Sequence, residues 1–153
     1  MSGKNELRSS PISIDSGVVL AYLLGEESGN LVRTSIFSND ESAGKRASYI
    51  SGPSLAELHC ILCRIRGTGY AAETIETIMG AGYVTRVSSA SLDIEAGRYK
   101  CARSIALADC YVLGAAKILR AKAVFARREE DLVGEIEKRS FDVEIVFLED
   151  LTS

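Results

Sequence analysis

Short apolar runs alternate with longer amphipathic stretches along almost the whole chain, and this constrains the fold more than any other feature. Ile12-Ser13-Ile14-Asp15, Ser48-Tyr49-Ile50, Tyr83 to Val87, Ala123 to Ala126 and Val143 to Phe147 read as strands. Helical stretches separate them. The first runs from Val18 to Leu24, opened by Ser16 and broken at Gly25, and the second from Asn30 to Phe37. Gly52-Pro53 closes the second strand, and the next helix runs from Ser54 to near Gly67 with Leu55, Leu58, Leu62 and Ile65 on one stripe. Further helices are expected over Ala71 to Met79, Ser91 to Arg103, Ile105 to Leu119 and Glu129 to Lys138. Strands that alternate with helices must run parallel, joined by helical crossovers. The expected architecture is an α/β domain in three layers, α/β/α, around a parallel sheet of about four to five strands. No repeat or linker divides the chain. One domain over 11–150 is expected, behind a loose tail at 1–10, with a polar loop from Asn39 to Gly44.

Composition bounds the function classes. With 153 residues, 46% of them hydrophobic, the chain can bury a core without staples. Its longest apolar run, Val18 to Leu24, falls far short of a membrane span. The polar start lacks the apolar segment of a secretory signal, so a cytoplasmic, reducing location is expected, with Cys60, Cys63, Cys101 and Cys110 as free thiols. Cys60-x-x-Cys63 beside His59 suggests zinc, but no second close pair follows, and small buried hydrophobes are the better reading. The net charge of −3 gives no global basic footprint for nucleic acid.

The chemistry lies in the carboxylates. Open parallel sheets bind ligands beyond the carboxyl ends of their strands. Asp15 ends the first strand, Glu57 follows the second by a turn or two, and Glu129 and Asp131 follow the fourth. Asp109 stands in an apolar setting at the start of an alanine-rich helix. Glu57 also fits a capping box with Ser54, and Glu129-Glu130-Asp131 also fits acids that complement a helix N-terminus. Asp15 is harder to explain away. A carboxylate between an apolar strand and an apolar helix is costly unless it is paired or bound to a cation, and no basic residue adjoins it. Converging acids raise one another's pKa, and a divalent cation removes the conflict. An oxygen-only ligand set points to Mg²⁺ or Mn²⁺ and to metal-assisted hydrolysis of a phosphate ester.

In order, Ile14-Asp15-Ser16, Ser54-Leu55-Ala56-Glu57-Leu58, Leu107-Ala108-Asp109 and Phe125 to Leu132 resemble the motifs of PIN-domain ribonucleases. The likeness is greatest to VapC-type toxins of toxin–antitoxin pairs, the small archaeal ones in particular, and it covers about residues 11 to 150. It implies a PIN-like domain and an Mg²⁺- or Mn²⁺-dependent endoribonuclease that leaves a 5′-phosphate and a 3′-hydroxyl. Asp15, Glu57 and Asp109 would hold the metal, with Glu129 or Asp131 as the fourth acid. Here Glu129-x-Asp131-Leu132 replaces the usual D-x-D-F, Arg127 stands at the threonine position, and Ala106 at a common serine position. Ser16 keeps the hydroxyl often found after the first acid. The resemblance further implies a homodimer and a cognate antitoxin that inserts into the acidic pocket.

RNA requires cations around such a pocket. Candidates are Arg64 and Arg66, Arg127 and Arg128, and Arg98, Lys100 and Arg103, with Arg128 foremost because it sits between strand end and acids. Each is also readable as an ordinary solvated charge. Leu20 to Leu24 and Ala115-Ala116 suit a dimer or antitoxin surface, though core packing accounts for most of them. The competing reading is a catalytically weak protein of the same fold that binds RNA or a partner. A phosphatase with an aspartate after its first strand would need a second acid where Gly17 stands.

Overall fold

The computed structural model of the chain describes residue 7 and residues 11–38 and 47–152. Its elements run β1 (Ile12–Ile14), α1 (Ser16–Leu23), α2 (Glu27–Ser35), β2 (Ser48–Ser51), α3 (Gly52–Arg66), α4 (Thr68–Gly80), β3 (Thr85–Val87), α5 (Ala90–Ala102), α6 (Leu107–Leu119), β4 (Lys122–Phe125), α7 (Glu130–Lys138), β5 (Ile145–Phe147) and α8 (Leu148–Leu151). The five strands form one parallel sheet in the order β3-β2-β1-β4-β5. The expected three-layer α/β/α architecture is therefore present, and α8 is an addition to it.

Strand periodicity sorts the core onto the two faces of the sheet. Ile12, Ile14, Ile50, Val124 and Val146 join one cluster with Val18 and Val19 of α1, Val32 of α2, Leu58 and Leu62 of α3 and Ala71 of α4. Ala123, Phe125 and Phe147 join the other with Ala96 and Tyr99 of α5, Cys110, Val112, Leu113 and Ala116 of α6, and Leu132 of α7. Ala115 and Ala116 thus pack in the core, whereas Tyr22 and Leu24 remain exposed. Helices α5 and α6 approach closely at Gly114, where a Cβ would stand 3.0 Å from the Ala96 nitrogen.

The structure corrects several expectations. Ser54 is not the cap of α3. Ser51 caps it, its hydroxyl accepting from the Ser54 N–H at 3.3 Å, and Gly52 and Pro53 are already helical. Glu57 then lies beyond the first turn and is no capping-box partner. Of the cysteines only Cys110 is buried, while Cys60 and Cys101 are exposed, so the small-hydrophobe reading holds for one of the four. Arg103 is not part of a basic rim. It is buried, donates to the carbonyls of Glu135 (2.8 Å), Arg139 (2.7 Å) and Ser140 (2.9 Å), and lies over the Phe141 ring, closing the end of α7. The polar loop at 39–44 lies outside the described residues. So does the tail at 1–10, except for Leu7, which is buried in the core.

Candidate active site at the carboxyl edge of the sheet

The strand order reverses between β1 and β4. The chain leaves β1 for β2 and β3 on one side, then crosses back to β4 on the other. Helices leave the sheet in opposite senses there, so a crevice opens beyond the carboxyl ends of β1 and β4. Asp15 follows β1 directly, and its N–H still donates to the Val124 carbonyl of β4 at 3.2 Å. Its side chain caps α1, with Oδ1 accepting from the Val18 N–H at 3.0 Å. A Cβ on Gly17 would lie 3.1 Å from that of Ala126 and 3.3 Å from the Asp15 carboxylate, so glycine leaves the carboxylate clear.

Each remaining acid reaches the same edge by its own route. Glu57 comes from α3, is exposed, and accepts a short hydrogen bond from the Ser16 hydroxyl, which joins α3 to the start of α1. Asp109 lies in the first turn of α6, which descends from this edge toward β4. Ser13, buried within β1, donates to the Val112 carbonyl at 2.8 Å and ties α6 to the sheet. Glu129 is the N-cap residue of α7, and Asp131 lies in that helix's first turn.

Electrostatics shows which acids converge. Burial pushes Asp15 up to about 8, against the opposing Val18 N–H, and the charges of Asp109, Glu129 and Glu57 add to the rise. Burial likewise raises Asp109 to about 7, helped by Glu129, Glu57 and Asp131. Glu129 thus acts on both the buried Asp15 and the half-buried Asp109, and Asp131 on Asp109 alone, so Asp131 stands at the margin. Among the described residues no cation pairs with either carboxylate, which is the arrangement a hard divalent cation suits. As placed, no three His, Cys, Asp or Glu side chains among the described residues stand close enough together to hold a metal ion. A groove of about 510 Å³ is elsewhere. It lies beside the start of β5, lined by Arg98, Tyr99, Arg103, Arg139 and Asp142, and none of the five acids enters it.

The expected basic rim is partly engaged. Arg127 pairs with Glu26 at 2.6 Å. Arg128 pairs with Asp150 at 2.8 Å, and its backbone N–H donates to Glu149 at 2.6 Å. Arg98 pairs with Glu95, and Lys100 donates to the Ile105 carbonyl. Arg64 is exposed on α3 and makes no ion pair among the described residues. Sequence reasoning missed Ser13, Ser51 and Gly17 as positioning residues. Only Ser51 carried a signal, since a serine before Gly-Pro at a helix start favours a cap.

No protein-family model matches the chain, and no curated protein matches it. A solved structure does. VapC20 of Mycobacterium tuberculosis, a sarcin-ricin loop cleaving toxin, superposes with a TM-score of 0.55 at 17% identity, over 79% of this chain and 92% of that one. The fold is PIN-like and is shared with that toxin. That likeness is mycobacterial and lends the archaeal leaning no support. In this PIN-like fold the acids follow β1, β2 and β4 and open α6, all at one edge. Among the described residues no helix is long and apolar enough to cross a membrane.

Proposed function

We propose that the chain is a metal-dependent endoribonuclease, the toxin of a toxin–antitoxin pair. The observation that carries this reading is a pair of carboxylates, the buried Asp15 and the half-buried Asp109, with no cation paired to either among the described residues, at the strand-order reversal of a PIN-like sheet. Asp15, Glu57 and Asp109 would hold Mg²⁺ or Mn²⁺, with Glu129 as fourth acid and Asp131 beside it. The bound ion supplies positive charge to the phosphodiester oxygens and acidifies water. Ser16 orients Glu57 through its hydroxyl, and Asp15 is fixed by the Val18 N–H. Glu129 and Asp131, exposed at the start of α7, would accept the proton of an attacking water, with a 5′-phosphate and a 3′-hydroxyl as products.

RNA would approach over Arg64, Arg127 and Arg128. The ion pairs of Arg127 and Arg128 are exposed, and such pairs contribute only about 0–1 kcal/mol, so a phosphate can replace them. An antitoxin and a homodimer partner complete the proposal.

The wide spacing of the acids, no three of which form a cage among the described residues, favours one other reading, an RNA- or protein-binding module of the same fold with little activity. Incubation with RNA and Mn²⁺, beside EDTA and the Asp15→Asn and Asp109→Asn variants, separates the two. The enzyme requires cleavage with Mn²⁺ and its loss in EDTA and in both folded variants. Cleavage that persists in the variants, or none at all in the wild type with Mn²⁺, rejects the proposed site.

A further inference from the structure

The cations around the acidic edge are unequal. Arg98, Arg127 and Arg128 are held by carboxylates, Lys100 by a carbonyl, and Arg103 is buried under the end of α7. On the opposite flank, Arg86 of the edge strand β3 is exposed and has no ion pair or hydrogen bond among the described residues. Arg86 pairs in register with Ile50, next to Ser51 and the start of α3. Its guanidinium lies over that start. A Cβ on Gly52 would stand 3.3 Å from a terminal nitrogen and 3.9 Å from Nε. The first turn of α3 contains no acid to neutralise it. The side chain therefore reaches along the sheet toward its carboxyl edge, where Asp15 and the helix bearing Glu57 begin. The end of β3 lies two strand spacings, roughly 10 Å, from the end of β1. The guanidinium, over the end of β2, is thus set one strand aside from Asp15 and suits a phosphate next to the reacting one.

We propose that Arg86 binds a backbone phosphate of single-stranded RNA next to the scissile one, so that the strand crosses the sheet's carboxyl edge from β3 toward β4. The inference rests on the proposed ribonuclease reading and deepens it. A guanidinium fork suits phosphate oxygens, and contact with the backbone alone makes this part of recognition independent of sequence. The flank needs no ion pair to break, unlike Arg127 and Arg128.

Binding of a fluorescein-labelled single-stranded RNA of mixed sequence, read by anisotropy over a salt series, tests this. The Asp15→Asn protein is the parent, because on the ribonuclease reading it should bind without cleaving. Arg86→Ala should weaken binding roughly tenfold at low salt. It should also reduce the slope of log K against log salt by about 0.7, the value for one single-strand phosphate contact. Arg86→Lys should keep the slope and recover part of the affinity. Arg139→Ala, at the opposite edge of the sheet, should change neither. In the cleaving protein with Mn²⁺, Arg86→Ala should raise KM and leave kcat nearly unchanged. An Arg86→Ala parent with unaltered affinity and slope overturns the assignment and leaves the ribonuclease reading standing. Failure of the parent to bind RNA, with no cleavage by the wild type, removes both.

Discussion

Asp15 performs two tasks that a single substitution separates. Its carboxylate caps α1, and its charge belongs to the acidic edge. Asparagine caps a helix about as well as aspartate, so Asp15→Asn keeps the first task and deletes the second. The pH dependence follows. In the folded, metal-free chain Asp15 is raised from 3.8 to about 8 and Asp109 from 3.8 to about 7. Between those values the folded state holds protons that the unfolded state has released. Their favourable contribution is thus complete below about pH 4 and lost as pH climbs through about 7 to 8. In EDTA the wild type should melt progressively lower across that interval. Asp15→Asn should flatten the curve and at pH 8 gain about 2 kcal/mol, roughly 5 °C in Tm for a chain of this size. Thermal denaturation against pH measures it. An identical pH profile in the variant would mean that Asp15 is not held protonated by its site.

The elements show why one edge collects the acids. Helix α3 begins at Gly52 because Ser51 caps it and Pro53 fits a first turn, and this start sets the height of Glu57 above the sheet. Ser51→Ala should therefore cost about 1 kcal/mol by chemical denaturation, the usual loss of an N-cap. It should lower cleavage as well, because the start of α3 sets where Glu57, one turn further on, is held. Ser54, expected as the cap, donates its N–H to Ser51, which alanine at 54 would still do. Ser54→Ala should cost less than Ser51→Ala, and the reverse order would restore Ser54 as the cap. Element types were readable from the chain because each strand is an apolar run and each helix an apolar stripe. Boundaries were less so. Gly52-Pro53 reads equally as the end of a strand or the start of a helix, and the side chain that decides between them, Ser51, is counted within β2.

At the scale of the molecule, the acidic edge is an unfavourable arrangement that a bound ion would relieve. A ligand held by the folded state alone at a hundredfold excess over its Kd adds about 2.7 kcal/mol. Mn²⁺ should accordingly raise the Tm of the wild type by roughly 5–10 °C at pH 8. The shift should shrink at pH 5, where Asp15 and Asp109 are protonated and the ion must displace those protons, and vanish in Asp15→Asn. An equal shift at both pH values, or one retained in the variant, would place the ion elsewhere. The alternation of apolar runs and amphipathic stretches was enough by itself to determine a parallel α/β sheet with Asp15, Glu57 and Glu129 beyond strand ends, because periodicity and strand–helix order are local properties of the chain. Which cations remain available was decided only in three dimensions. Arg103 turned inward to close α7, Arg127 and Arg128 met Glu26 and Asp150, and Arg86 stayed free beside Gly52. Those partners lie from 22 to 101 positions apart, and charge pairing depends on distance through space, which sequence order does not record.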